Sequence, residues 1–239
     1  MDRAYLDNRD VIIDGADCDQ LALRFAIYHL TAMSPVHDNR MNIAAKGLSG
    51  PGYYGHTFWD TEIYMLPYFI FAAPKEARSL LEYRYNCLDA CRDLAHNTGF
   101  TGARYPWEAA WITDGEATPV MYNTGDYEIH ITADVAFGVH YYNMVTGDED
   151  FMEKCGYELL FECASFWPSR VSYNAEKDQY DILNVIGANE YKENVDNNAF
   201  TESQLAVLPL FMQSNVFRLT LDTGHDICLD GKDRHVFNT

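Results

Sequence analysis

The sequence predicts an all-α toroid made of helix pairs, and three observations lead to this fold class. Apolar residues recur with the period of an α-helix through most of the 239 residues. Only residues 180–185 have the composition of a short strand. Long polar loops separate the helices, whereas the helices of a bundle are joined by short connections. The loops of such a toroid gather at one mouth, where we expect the functional site.

Six helical segments follow from the apolar spacing and from the residues that interrupt it. The first covers 20–33, and either Asp17 or Asp19 is expected to cap its start. Its apolar stripe consists of Leu21, Phe25, Tyr28 and Ala32. Residues 56–73 are apolar nearly all round and predict a buried helix, and Pro74 then begins the next one. The remaining helices are predicted over 74–97, 128–145, 148–171 and 201–217.

Three polar segments between these helices are the candidate loops of the site. Residues 46–55 are rich in glycine, residues 100–127 are irregular, and residues 187–198 are dense in carboxylates and amides. Connections as long as 100–127 are usually either functional or disordered. These segments are therefore the first place to look for functional side chains.

The charge balance argues against two classes of partner. The chain has 17 Lys and Arg against 36 Asp and Glu, a formal net charge of −19. Nucleic acids and anionic membranes are bound by clustered basic residues, so neither is expected as a partner. Aromatic residues make up 14% of the chain, which suits a site for a carbohydrate or another small polar ligand. Aromatic core packing explains most of these residues equally well.

The sequence predicts a cytoplasmic protein. Its most apolar stretch, Ile63 to Ala73, is about half the length that a membrane-spanning helix needs. The charged N-terminus has no apolar core of a secretory signal. The six cysteines include no CxxC pair, and Cys87 and Cys91, one helical turn apart, are expected to be buried thiols.

Carboxylate clusters are the most informative chemical feature of the chain. The eight histidines have no metal-ligand spacing, and the phosphate-loop, dinucleotide and zinc-protease motifs are absent from the sequence, so no metal or cofactor is expected. Glycoside cleavage needs a carboxylic acid that protonates the leaving oxygen. A solvated acidic face is the alternative explanation. The clusters are Trp59 to Glu62, Trp107 to Glu108 with Asp114 and Glu116, and Glu190 with Glu193 and Asp196.

Four segments that contain these clusters follow one another in a recognisable order. They are Gly47 to Glu62, Tyr105 to Glu108, Glu128 to Asp134 and Val185 to Asn198. Together they resemble glycoside hydrolase family 65, over about residues 5–201. The resemblance implies an (α/α)6 barrel of the six-hairpin type, in agreement with the predicted toroid. We expect a single partial catalytic domain over residues 1–239, in which residues 202–239 match no recognised element.

The resemblance also implies an activity, inverting phosphorolysis of an α-linked glucose disaccharide to β-glucose 1-phosphate. Glu190 matches the general acid of the family, and Trp59 and Asp60 match residues that hold the non-reducing glucose. Inorganic phosphate is the implied nucleophile and co-substrate. Because phosphate is already an anion, no catalytic base is required. Glu190 must then keep its proton near neutral pH, and Glu193 and Asp196 are candidates to favour this by charge repulsion.

The long irregular loop is the part of the sequence that bears on the choice of sugar. Tyr105 to Glu108, together with Glu116 to Pro119, resembles kojibiose or nigerose phosphorylases more than maltose phosphorylases. Trp107, Glu108 and Glu116 are therefore candidates for holding the sugars, and ordering the loop is their alternative role. A hydrolase of the same family and a non-catalytic carbohydrate-binding remnant remain alternative functions.

Departures from the family pattern concern the acid segment and the length of the chain. Ala188, Asn189 and Lys192 replace the usual Pro, Asp and His, and the positive charge of Lys192 opposes a protonated Glu190. Family members are several times longer. We therefore expect a truncated chain with part of the barrel, weakly active or inactive alone, whose exposed apolar faces favour a homo-oligomer.

Overall fold

A computed structural model of the chain describes residues 10–47 and 50–205, and this part is mostly helical. The prediction of an all-α protein is confirmed. The helices are α1 (Asp17–Met33), α2 (Leu66–Ala72), α3 (Pro74–Asn86), α4 (Leu88–Asn97), α5 (Thr124–Tyr127), α6 (Ile131–Thr146), α7 (Glu149–Phe151), α8 (Tyr157–Arg170) and α9 (Ala199–Leu205). Two strands, β1 (Ser172–Asn174) and β2 (Gln179–Asp181), form an antiparallel hairpin. Within the described ranges, none of the helices has the length and hydropathy to cross a membrane.

Helix α6 is the centre of the core. Helices α2, α3, α8 and α9 all pack against it. Its first half is buried on several sides, as Ala133, Val135 and Ala136 illustrate, whereas Met144 and Val145 near its end are exposed. Burying one such side chain stabilises the fold by about 1.5–3 kcal/mol. Because α6 is enclosed in this way, the residues at its N-terminal end are held at fixed positions.

Helix α1 differs from its prediction in two respects. It begins at Asp17 with Ala16 as its N-cap, and the cap makes no side-chain hydrogen bond, so the predicted aspartate cap is wrong. The apolar stripe lies on the outside, with Leu21, Phe25 and Tyr28 more than half exposed. The buried side of α1 carries Ile27 and Thr31 instead.

The segment predicted as a buried helix over 56–73 starts later than expected. Thr57 is extended and exchanges two backbone hydrogen bonds of 2.9 Å with Ala109, so this stretch pairs with the long irregular loop. A π-helical turn over Thr61–Met65 then leads directly into α2. Tyr64 and Phe71 are exposed, so the expectation of burial all round is wrong.

The helix predicted over 74–97 consists of two helices that break at Cys87. Cys87 and Cys91 are both buried, as predicted. Burial raises the pKa of the Cys87 thiol to about 11, so the thiol stays neutral and packs as an apolar group.

The remaining segments agree with prediction in type and differ in their bounds. The helix predicted over 128–145 is α6, which ends at the left-handed Gly147. The next helix begins after Asp148, whose Oδ1 accepts a hydrogen bond of 3.1 Å from the Phe151 N–H. It runs through α7, a π-helical turn over Met152–Gly156 and α8. The predicted strand over 180–185 is displaced to β2, and the predicted helix over 201–217 is described only to Leu205.

Candidate active site

Three loops converge at the N-terminal end of α6. The extended pair of Thr57 and Ala109 joins the first loop to the second. The third loop, 187–198, is closed by an antiparallel bridge between Val185 and Val195. The Ile186 N–H donates to the Tyr127 carbonyl at 3.0 Å, which ties this third loop to the chain just before α6. The long irregular loop, the third loop and the residues that directly follow the first loop are therefore brought together.

A buried ion pair holds the Trp59 and Asp60 segment in place. The Arg84 guanidinium of α3 donates to both carboxylate oxygens of Glu62 at 2.7 Å, and its Nη2 also donates to the Phe58 carbonyl at 2.7 Å. These two contacts fix the residues on either side of Trp59 and Asp60. Trp59 is almost fully buried and Asp60 is partly buried. Burial raises the pKa of Asp60, although the charge of Arg84 opposes the shift.

The long irregular loop places Trp107 and Glu108 beside the first loop. The Glu108 Oε1 lies 2.6 Å from the His56 Nδ1, so the two loops are joined by side chains as well as by backbone. Phe58 and Trp107 pack edge to face with ring centroids 5.5 Å apart. Trp107 and Glu108, two of the three sugar-binding candidates of this loop, therefore lie next to the Trp59 and Asp60 segment.

Glu116 organises the same loop from within. Its carboxylate accepts hydrogen bonds from the N–H groups of Trp107, at 2.7 Å, and Glu108, at 3.0 Å. It also accepts from the backbone N–H and the hydroxyl of Thr118, at 3.0 and 2.7 Å. These four contacts give Glu116 the loop-ordering role that was its alternative.

The residue that joins the loops is His130, which the sequence analysis did not select. Its Nε2 lies 3.0 Å from Glu128 Oε1 and its Nδ1 lies 2.6 Å from Asp134 Oδ2, and all three side chains are fully buried. Burial disfavours the imidazolium, but the bonded carboxylates of Asp134 and then Glu128 outweigh it and raise the pKa of His130 to about 9. At neutral pH both ring nitrogens therefore donate. The sequence contained one signal that could have identified His130. This is the pattern Glu-x-His-x-x-x-Asp over residues 128–134, which places His130 and Asp134 about one helical turn apart.

Aromatic rings from three separate parts of the chain surround His130. Its ring centroid lies 4.9 Å from those of Trp59 and Phe200 and 6.4 Å from that of Trp107, all in edge-to-face geometry. The two tryptophans predicted to contact sugar are thus brought to one imidazolium. Phe200 belongs to α9, which directly follows the third loop.

Glu190 lies exposed on the third loop, at the edge of this cluster. Its negative charge is close enough to Glu128 to contribute to the raised pKa of that buried carboxyl group. Glu193 and Asp196 are engaged elsewhere. Glu193 accepts from the Asn123 side chain at 3.0 Å, and Asp196 accepts from the Asn184 N–H at 2.9 Å. Chemically, the arrangement offers the exposed carboxyl group of Glu190 and the partly buried one of Asp60, together with the aromatic rings around His130.

The arrangement has no evident metal centre in the described residues. Over 10–47 and 50–205, His, Cys, Asp and Glu nowhere form a group of three or more that could hold a metal ion. The hydrogen bonds of His130 occupy both of its ring nitrogens.

Comparisons with known proteins find relatives of this chain over most of its length. The family model of the "Glycosyl hydrolase family 65 central catalytic domain" matches residues 24–220. The kojibiose phosphorylase of Halothermothrix orenii is 51% identical over 205 residues, which cover 80% of this chain and 26% of that protein. The kojibiose hydrolase of Flavobacterium johnsoniae is 43% identical over 192 residues, 80% of this chain and 28% of that protein.

A solved structure is similar over most of the chain. It comes from the human microbiome and is provisionally named a kojibiose phosphorylase. It superposes with a TM-score of 0.77 at 27% identity, over 88% of this chain and 28% of that chain. This likeness confirms the predicted partial (α/α)6 toroid. The chain spans about a quarter of the length of the curated relatives named above.

Proposed function

Because the chain belongs to glycoside hydrolase family 65, we propose that it carries the acid and the sugar-binding wall of an α-glucoside phosphorylase. The preferred substrate is a kojibiose-type disaccharide, with inorganic phosphate as co-substrate and no cofactor. The observation that carries the proposal is the convergence of Trp59 and Trp107 on His130, together with the exposed Glu190, whose charge acts on the His130 partner Glu128. The similarity to kojibiose phosphorylases supports the choice of sugar.

In this proposal, the reaction is a single displacement with inversion at the anomeric carbon. Glu190 gives its proton to the glycosidic oxygen while a phosphate oxygen attacks C1 from the opposite face. The C1–oxygen bond to the leaving sugar breaks, and β-glucose 1-phosphate forms. Trp59 stacks on the non-reducing glucose, and Asp60 accepts hydrogen bonds from its hydroxyl groups.

The second sugar is assigned to the long irregular loop. Trp107 offers a ring face, and Glu108, oriented by His56, offers carboxylate oxygens to hydroxyl groups. Glu116, also a sugar-binding candidate by sequence, acts by holding the N–H groups of these two residues. Its effect on the sugar is then indirect.

The decisive experiment measures β-glucose 1-phosphate from kojibiose, nigerose, maltose and trehalose, with and without phosphate. We expect phosphate-dependent product, greatest with kojibiose or nigerose, and its loss in Glu190→Gln. Glu176→Gln, which removes an exposed carboxylate on the β1–β2 turn, is the matched control. Product from Glu190→Gln at the wild-type rate would contradict the assignment of the acid.

Hydrolysis is the second candidate, because one of the similar proteins is a kojibiose hydrolase. Glucose release that does not depend on phosphate would identify it. Stabilisation by sugar without turnover would identify a carbohydrate-binding remnant instead. The assay therefore separates all three functions with one set of sugars.

A cytoplasmic location and self-association are parts of the same proposal. All five cysteines in the described part of the chain are free thiols, which suits a reducing compartment. The exposed apolar side chains of α1, Leu21 and Phe25 among them, favour association with a second copy. Sedimentation at several chain concentrations tests the self-association.

A further inference from the structure

Trp59, His130 and Phe200 form a closed ring triangle in the candidate site, although they come from separate parts of the chain. The ring centroids of Trp59 and His130 are 4.9 Å apart, and those of His130 and Phe200 are also 4.9 Å apart. The third side, between Trp59 and Phe200, measures 5.4 Å. All three contacts are edge to face, an arrangement that aromatic pairs prefer. The position of each ring therefore depends on the other two.

His130 is the fixed corner of the ring triangle. Its Nε2 lies 3.0 Å from Glu128 Oε1, its Nδ1 lies 2.6 Å from Asp134 Oδ2, and its side chain is fully buried. Hydrogen bonds are directional, so two of them on one ring fix its plane as well as its position. The rings of Trp59 and Phe200 thus pack against an imidazole whose orientation is set from within its own segment.

Phe200 connects the ring triangle to the third loop, which carries Glu190. The Phe200 N–H donates at 3.1 Å to Oδ1 of Asn198, the last residue of that loop. The Asn198 amide also lies directly against Gly187, the first residue of the loop, where an added Cβ would overlap with it. Both ends of the third loop therefore meet at Asn198, which is bonded to Phe200.

Further contacts close the base of the third loop. Val185 and Val195 exchange two backbone hydrogen bonds, of 2.9 and 3.0 Å. The Asn197 N–H donates to the Ile182 carbonyl at 2.8 Å, and the Ile182 N–H donates to Asn197 Oδ1 at the same distance. The Asn197 amide nitrogen also donates to Asp181 Oδ1 at 2.9 Å. The segment that carries Glu190 is thus attached to one closed base, and that base is joined to the ring triangle.

We propose that the ring triangle sets the position of the bound glucose relative to the acid, Glu190. His130 and Phe200 are positioning residues in this role, because they act through Trp59 and through the third loop. The inference rests on the proposed function, in which glucose stacks on Trp59 and Glu190 is the acid. Proton transfer to the glycosidic oxygen needs hydrogen-bond distance, so the glucose and the acid loop must keep a fixed offset.

The consequence for catalysis depends on the leaving group. Kojibiose needs a proton on its glycosidic oxygen, because a sugar alkoxide is a poor leaving group. 4-Nitrophenyl α-glucoside needs much less help from an acid, because nitrophenolate is a stable anion. A glucose that is displaced relative to the acid should therefore slow phosphorolysis of kojibiose far more than phosphorolysis of the nitrophenyl glucoside.

Hydrogen exchange tests the connection without any turnover. Trp59→Leu removes one corner of the ring triangle, and we expect about fivefold faster exchange of the Phe200 and Thr201 amides, which are bonded to Asn198. The matched control is Trp107→Leu, because the ring contacts of Trp107 are with Phe58 and His130. It should leave both amides unchanged. Unchanged exchange in Trp59→Leu, or equal acceleration by both variants, overturns the proposal.

Kinetics with the two substrates test the positioning role. Phe200→Leu removes a half-buried ring and keeps an apolar side chain. We expect it to lower kcat/KM for kojibiose about tenfold and for 4-nitrophenyl α-glucoside less than about twofold. His130→Gln should show the same selectivity. Val139→Ala, a buried change further along α6, is the control, because a smaller folded fraction lowers both values equally. An equal loss with both substrates in Phe200→Leu overturns the positioning role.

Failure of the proposed function is distinguishable from failure of this inference. If the wild-type chain gives no phosphate-dependent product from either substrate, the proposed function fails and the positioning role fails with it. Hydrogen exchange then still decides whether Trp59 is connected to the third loop. If the wild-type chain is active and Phe200→Leu lacks the selectivity, the positioning role alone fails.

Discussion

Arg84 on α3 and Glu62 on the π-helical turn form a two-pronged ion pair, with both hydrogen bonds at 2.7 Å and both side chains fully buried. The pair lies beneath Trp59 and Asp60, which are sugar-binding candidates by sequence. It thus supports the segment of these two candidates from a position inside the core. Because both side chains are buried away from water, the charge of each is compensated by the charge of the other.

Removing one partner of this pair is expected to be strongly destabilising. Arg84→Met leaves the Glu62 charge buried without compensation, at a cost of about 3–5 kcal/mol. Urea denaturation measures the loss. The double variant Arg84→Met with Glu62→Leu removes both charges and should recover much of the stability. If the double variant is no better than the single one, the cost comes from packing and not from the unpaired charge.

Glu116 is expected to control the order of the long irregular loop. Glu116→Ala removes the acceptor of the Trp107 and Glu108 N–H groups, and each lost bond costs about 1 kcal/mol. Hydrogen exchange of these two amides should therefore accelerate roughly tenfold while the core amides keep their protection. Asp114→Asn, an exposed change in the same loop, is the control. Unchanged exchange in Glu116→Ala would exclude the ordering role.

The charge of His130 makes the folded chain less stable at alkaline pH. Its pKa is raised to about 9 by Asp134 and Glu128, above the value of about 6.5 for an unfolded histidine. The stabilisation by the charged His130 is complete below pH 6.5 and is lost as the pH rises through 9. The free energy of unfolding then decreases by about 3 kcal/mol. Urea midpoints at pH 6 and pH 9 measure it.

A matched pair of variants isolates this contribution. His130→Gln should be less stable than the wild type at pH 6. Its free energy of unfolding should also decrease less between pH 6 and pH 9, because the contribution of His130 is absent. His96→Gln, at an exposed position at the end of α4, should show the same decrease in the free energy of unfolding as the wild type. An identical pH dependence in His130→Gln would show that other groups cause the loss.

Gly187 is expected to tolerate no side chain. A Cβ at this position would overlap with the Asn198 amide, whose Oδ1 accepts from the N–H groups of Phe200 and Thr201 at 3.1 and 3.2 Å. Gly187→Ala should therefore displace Asn198, loosen the start of α9 and cost about 1–3 kcal/mol. Thermal denaturation compares it with Gly50→Ala, where the added Cβ meets nothing within 4 Å. Equal melting temperatures of the two variants would contradict this account.

Apolar periodicity predicted the helices well where one face packs against the core. It was misleading for α1, because Leu21 and Phe25 lie on the outside of that helix. Periodicity reports that apolar residues share a face, and it does not report what covers that face. The break at Cys87 also has no signal in the sequence, since no glycine or proline marks it.

Part of the candidate site could be predicted from short sequence motifs rather than from periodicity. Short motifs identified Trp59 and Trp107, and the structure brings these two residues to one imidazole ring. The motifs did not reveal that His130 is the ring between them, because a histidine near an apolar helix is usually an ordinary core residue. Its role depends on Glu128 and Asp134, and their distances to it exist only once α6 has folded.

The π-helical turn over Thr61–Met65 fixes the number of residues in this part of the chain. Such a turn contains one residue more than an α-helical turn, so it advances the phase of the polypeptide by about 100°. With that extra residue, Glu62 and Leu66 both point inward, and a Cβ on Gly138 would contact both of them. Deleting one residue between Ile63 and Met65 would keep every motif intact, yet it would rotate Trp59 and Asp60 out of phase with the core. Residue count, as much as residue identity, sets the direction in which Trp59 and Asp60, the proposed sugar-binding residues, face.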